Sequence, residues 1–145
     1  MVFSLKLVSI VHEAERTGDL AKSIAKAGKL AHRPRMGPRV ELLRDMRDRV
    51  LVMFDYAHDG FVSEEAEAAH KLMQMNETIK DDVTMYLSEL ADDERVTANE
   101  GMVLALLARL LSRVSSHLPN IASAVVLPFD RILRAPQREV SDPSS

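Results

Sequence analysis

Two carboxylates, Glu15 and Asp19, stand four residues apart in a stretch of helical periodicity, and His12 precedes Glu15 by three. On a helix these spacings put all three side chains on one side. Like charges at that separation repel by roughly 0.2–0.5 kcal/mol, so water, nearby cations or a bound metal must offset them. Two carboxylates and an imidazole form an oxygen-rich set that suits iron, zinc or magnesium. The plainer alternative is a solvated helix face on which Lys22 and Lys26 answer Asp19.

Other reactive types are present without an arrangement that uses them. Ser112, Ser115, Ser116 and His117 bring hydroxyls and an imidazole together in sequence. On a helix, however, adjacent residues such as Ser116 and His117 point apart, and no oxyanion hole is suggested. His32, His58 and His70 are isolated. Met73 and Met75 read as core filler. Cysteine is absent, which excludes a disulfide framework and a thiolate nucleophile. No catalytic residue is expected, and no enzyme activity.

The 145 residues form one domain's length of chain. Their 46% apolar content has only 4% aromatic residues and no Trp, which favours helix-on-helix packing over a sheet. The net charge of −3 argues against a nucleic-acid partner. The apolar run 102–108 is interrupted by Arg109 and Arg113 before it completes a membrane span. The N-terminus lacks the basic start of a signal peptide. These features predict a cytoplasmic protein that meets a membrane only through its partners.

The elements that must carry these residues are four long helices in an antiparallel, all-α bundle. The first runs from near Met1 to about Ala31, with a 4-3-4-3 seam of Leu7, Val11, Ala14, Gly18, Ala21, Ala25 and Gly28. No N-cap signal precedes it. Pro34, Gly37 and Pro38 break the chain, and Pro38 opens a second helix to about Tyr56. That helix should bury Val40, Leu43, Val50, Met53, Phe54 and Ala57, with Asp59-Gly60 as the next turn. Ser63 should cap the third helix, which carries Ala66, Ala69, Leu72, Met73, Ile79, Val83, Tyr86, Leu87 and Leu90. After a polar linker at 91–95, Thr97 and Glu100 spell a capping box. The fourth helix follows with the seam Leu104, Leu107, Leu111, Val114, Leu118, Ile121 and Val125. Pro119 should kink it near Ser115, and Pro128 should kink or end it before a frayed continuation to Leu133. The bundle is expected over 1–134, and 135–145 as a disordered tail.

The first and last helices echo each other. ERTGDLAKSIA at 15–25 aligns with RVSSHLPNIA at 113–122 at a constant offset of 97. Arg16, Ile24 and Ala25 fall on Arg113, Ile121 and Ala122, and Leu7, Ile10 and Ala14 fall on Leu104, Leu107 and Leu111. An internal match of this kind points to a duplicated helical unit.

The stretch 15–25, in its setting from Leu5 to Ala31, resembles the signature helix of the PhoU family. The echo at 113–122 resembles the second copy of that signature, and 66–90 resembles the family's middle helix. The resemblance covers the chain to about Arg134. It implies two tandem three-helix units, of which this chain would hold the last helix of the first and all of the second. It further implies a non-enzymatic regulator of phosphate uptake that represses the phosphate-starvation response through a phosphate transporter and a sensor histidine kinase. The alternatives are a regulatory domain associated with a sodium–phosphate symporter and a metal-binding helical bundle. Family metal ligands carry over onto Glu15 and Asp19 alone. The second signature has Ser112 and Ser116 where acids are expected, and the middle helix has Asn76 and Lys80, so a second metal site should be lost.

The seam also predicts an assembly. If Leu7, Val11, Ala14 and Gly18 lie on the rest of the chain, the other side of the first helix still shows Leu5, Val8, Ile24 and Ala31, with Ile10 and Leu20 at the boundary. An apolar row of that size implies an interface, and a twofold homodimer through the first helix is expected.

Overall fold

The computed structural model of the chain describes residues 2–34, 36–63 and 66–126, with side chains within 4–124. Four helices follow one another: α1 (Val2–Gly28), α2 (Pro38–Ser63), α3 (Ala66–Asp92) and α4 (Ala98–Val126). They pack on one another as an all-α bundle, as their periodicities predict.

The bundle is built around α4. α2 and α3 pack against it and against each other, whereas among the described residues α1 packs on α4 alone. A helix touched from three sides must be apolar nearly all round. Accordingly α4 buries Val103, Leu104, Leu107, Ala108, Leu110, Leu111, Val114, Leu118 and Ala122. It is also long and apolar enough to cross a membrane by composition, but more than half of its most apolar window is covered by the other helices. The helix runs through Pro119 without interruption, and Pro119 is itself buried. Val125 is described by its backbone only, and the expectations for Pro128, Leu133 and the tail at 135–145 lie outside the described residues.

The connections show why the chain turns where it does. Gly37 has φ of 104°, a backbone state that a side chain disfavours, and its carbonyl accepts the first bonds of α2 from Val40 and Glu41 N–H. Pro38 then occupies the first helical position, where no N–H is needed. At α4, the Thr97 hydroxyl accepts from the Glu100 N–H at 3.2 Å, half of the expected capping box. Asn99 ties the α1–α2 connection to the start of α4. Its Nδ2 donates to the Leu30 carbonyl at 2.9 Å, and its Oδ1 accepts from the His32 N–H at 3.0 Å.

Three expectations need correcting. First, α2 does not turn at Asp59-Gly60 but continues to Ser63. Gly60 is buried, and a Cβ there would lie 2.9 Å from the Ala68 Cβ and 3.6 Å from the Ala122 Cβ. The glycine therefore serves a close approach of α2 to α3 and α4, not a turn. Ser63 is the last residue of α2, and its hydroxyl donates to the Asp59 carbonyl at 2.6 Å. Second, within α2 and α3 the buried rows include Met46 and Asn76, while Phe54 and Met73 are exposed.

Third, α1 buries a different stripe. Thr17, Leu20 and Ala27 are buried, and Ile10, Glu13, Ile24 and Ala31 are half-buried beside them. The expected seam lies one residue further on, and all of it except half-buried Gly28 is exposed, with Val11 at 58%. One residue is about 100° of helix, so the whole stripe turns away from α4. Size explains the choice. Leu20 and Ile24 offer far more apolar area to α4 than the Ala21 and Ala25 beside them. Leu5 and Val8 remain outside, as expected, but Ile24 and Ala31 face α4.

Candidate functional site

The antiparallel α1–α4 pair carries both signature stretches, and its register follows from the contacts at its two ends. The Glu13 carboxylate meets the His117 ring at 2.5 Å, and Leu30 and His32 meet Asn99. Paired positions therefore sum to about 130, so the two signature stretches meet end to end and overlap only where 15–17 lies against 113–115.

His12, Glu15 and Asp19 share one exposed side of α1. Asp19 lies 3.9 Å from Lys22, with both side chains more than two-thirds exposed. Such a pair contributes little to stability. Among the described residues no three His, Asp or Glu side chains converge on a point that could hold a metal. Within one chain this donor set does not fit a closed metal site, which needs several converging ligands.

The other signature stretch has different chemistry. Asn76 is buried on α3, and its side-chain oxygen accepts from Ser115 Oγ at 2.8 Å and from Ser116 Oγ at 3.3 Å. The same hydroxyls also lie 2.8 and 2.9 Å from the Ser112 carbonyl, so each proton is shared between two acceptors. The positions at which the family resemblance expects acids on α3 and α4 are thus together in space. They hold an amide and hydroxyls, a neutral set in which the Ser115 and Ser116 hydroxyls bond to the Asn76 oxygen. Lys80 stays out of it and pairs with Glu77 at 2.9 Å on the surface. Ser115 is fully buried and Ser116 faces Asn76, while His117 turns to α1, so no Ser–His couple forms.

The Glu13–His117 contact was not foreseen. Both side chains are more than four-fifths covered, and Asn120 Nδ2 reaches the same Glu13 oxygen at 3.5 Å. The signal was available in the corrected stripe: a carboxylate between Ile10 and Thr17 on a buried face requires a polar partner.

A second polar cluster closes the end of the bundle where α2 begins and α3 ends. Asp93 accepts from the Arg95 backbone N–H at 2.9 Å, from Arg95 Nε at 3.0 Å and from Arg39 Nε at 3.1 Å, with a further contact to Arg39 Nη2. These donors hold the Asp93 carboxyl well below the usual carboxylate range, Arg95 first among them. The Tyr86 hydroxyl donates to the Arg39 carbonyl at 3.2 Å, and burial pushes its pKa up to about 12.

Between α1 and α2, above α4, lies an open cleft of about 650 Å³. Leu104, Leu107 and Leu111 form its floor, Ile24 and Ala25 one wall, and Arg44 and Arg47 the other.

Comparison with known proteins places this architecture. The family model for the PhoU domain matches residues 43–125, more than half of the chain and nearly all of α2, α3 and α4. A curated relative, the phosphate-specific transport system accessory protein PhoU homolog 1 of Thermotoga maritima, is 23% identical over 130 residues. That alignment takes in 86% of this chain and 55% of the relative, so the chain spans about half the relative's length. No solved structure gives a significant match. With the family model matched over α2–α4, the chain belongs to the PhoU domain family.

Proposed function

We propose that the chain is a regulator of phosphate uptake and phosphate-starvation signalling that works by protein–protein contact on the cytoplasmic side of the membrane. The observation that carries this reading is the PhoU domain match over α2–α4, extended by an alignment that takes in most of the chain. The relative it aligns with is named as an accessory protein of phosphate-specific transport. The chemistry of the polar side chains agrees with a binding role. The Ser115 and Ser116 hydroxyls and the His117 imidazole are committed to bonds that join α4 to α3 and α1. The surface offered to partners is helix faces, among them the exposed side of α1 and the cleft beside it.

The partners are a phosphate transporter and a sensor histidine kinase. The test is recovery of the tagged full chain from solubilised membranes of phosphate-replete cells, with the bound proteins identified by mass spectrometry. Recovery of a phosphate transporter or its kinase is the expected result. Recovery of a sodium–phosphate symporter instead would move the protein to that system, and recovery of neither would overturn the proposal.

A further inference from the structure

One line of α4 stays outside although three helices pack on it. Met102, Leu106, Arg109 and Arg113 recur at 4-3-4 spacing, and all four are exposed. Arg113 stands two residues, about 200° of helix, from Leu111 on the cleft floor, so the line runs on the side away from α2. Arg16 of α1 is likewise exposed, and it stands nine residues, about two and a half turns, from Ala25 on the cleft wall. In the antiparallel register Arg16 and Arg113 fall opposite each other across the α1–α4 seam, with Arg109 one turn away.

The exposure belongs to the repeat. Shifted by 97, Leu5, Ser9, His12 and Arg16 fall on Met102, Leu106, Arg109 and Arg113. On α1, with α2 and α3 in place, Leu5, His12 and Arg16 are exposed and Ser9 is half-buried. A unit like α2–α3 placed on α1 would, by the symmetry of the repeat, leave the α4 line equally open. The face thus stays open whatever is packed on the far side of α1.

Its charge is unanswered. Arg39, Arg44, Arg47, Arg49 and Arg95 each pair with a carboxylate. Among the described residues Arg16, Arg109 and Arg113 do not, and Asp19, the acid one turn from Arg16, lies 3.9 Å from Lys22 instead. Unpaired guanidiniums beside an exposed methionine are the residue types that protein interfaces favour, and a guanidinium fork fits a carboxylate. A second copy presenting the same face would bring like charges together. The segment 127–145 balances Asp130, Glu139 and Asp142 with Arg131, Arg134 and Arg138, so its side chains bring no net charge to match. A broad anionic membrane would also meet the exposed Glu15 and Asp19 of α1. A narrow acidic segment reaches the arginines and avoids those acids.

We propose that this face of the α1–α4 pair is the docking surface for an acidic helix of a partner protein. Its carboxylates take Arg16, Arg109 and Arg113, and apolar side chains at its other end pack on Met102 and Leu106. From Met102 to Arg113 the line is about 16 Å long, about three turns of a partner helix. Nothing in this docking depends on the role in phosphate regulation.

The test places p-benzoylphenylalanine at position 106 of the full chain in the native host. Irradiation should cross-link a partner segment that mass spectrometry identifies as richer in Asp and Glu than in Lys and Arg. The same reagent at position 85, exposed on α3, should not capture it. Made as a peptide, the segment should bind the purified chain in fluorescence anisotropy. Arg16→Glu and Arg113→Glu should each weaken binding at least about tenfold, with unchanged circular dichroism because both side chains are exposed. In a scan of the peptide's acids, one exchange to lysine should restore binding to Arg113→Glu. No cross-link at position 106, or cross-linking only to lipid, to a second copy or to a segment without net negative charge, would overturn the proposal. So would binding indifferent to both arginine variants, or a scan without rescue.

Discussion

At the residue scale the protein spends its polar groups on joining helices. Asn76 with Ser115 and Ser116 links α3 to α4, Glu13 with His117 links α1 to α4, and Asp93 with Arg39 and Arg95 ties the α3–α4 connection to α2. The third cluster predicts a pH dependence whose sign can be worked out. Asp93 stays ionised in the folded protein at pH values where the unfolded chain has already taken up the proton. Below the ordinary carboxylate pKa of about 3.9 the unfolded state therefore binds more protons, and stability falls as the pH falls. The Asp93 contribution is fully present at neutral pH and is lost under acid conditions. Asp93→Asn should lower the thermal midpoint at pH 7 and flatten its decline below about pH 4. Equal acid sensitivity in both proteins, measured by circular dichroism melts across that range, would remove Asp93 from the account.

At the element scale, much was legible in the residues and the failures share a cause. Helix count, the Pro38 start, the Thr97 cap and the α4 seam follow from local signals that need no tertiary context. Gly60 and the α1 stripe were misread because each is decided by what packs against it. A glycine after an aspartate has the same letters in a turn and at a helix crossing. The crossing shows only once Ala68 and Ala122 are seen against it. α1 carries two apolar stripes about 100° apart, and the sequence does not say which one meets α4. The Asn76–Ser116 contact was legible only through the family resemblance, since residues 40 apart share no local periodicity. Gly60 supplies the prediction at this scale. Gly60→Ala gains up to about 1 kcal/mol of helix propensity. The new methyl meets a Cβ that no rotamer change can move, so overpacking of about 1–3 kcal/mol should prevail. Chemical denaturation should show a net loss, and a more stable variant would mean that α2 and α3 separate without cost.

At the scale of the whole molecule, α4 is the centre, and among the described residues α1 is attached to it alone. The α2–α4 unit is the part that the PhoU domain model matches, and α1 repeats the pattern of α4 at an offset of 97 with its matching face exposed. In the family to which it belongs, the resemblance that the sequence carries points to phosphate control. The most direct test is a phosphate-starvation reporter in phosphate-replete cells of the native host with the coding region deleted and then restored. The reporter should switch on after deletion, with phosphate uptake no longer restrained, and return to baseline when the wild-type chain is supplied. A reporter that stays silent and uptake that stays unchanged in the deletion strain would contradict the account.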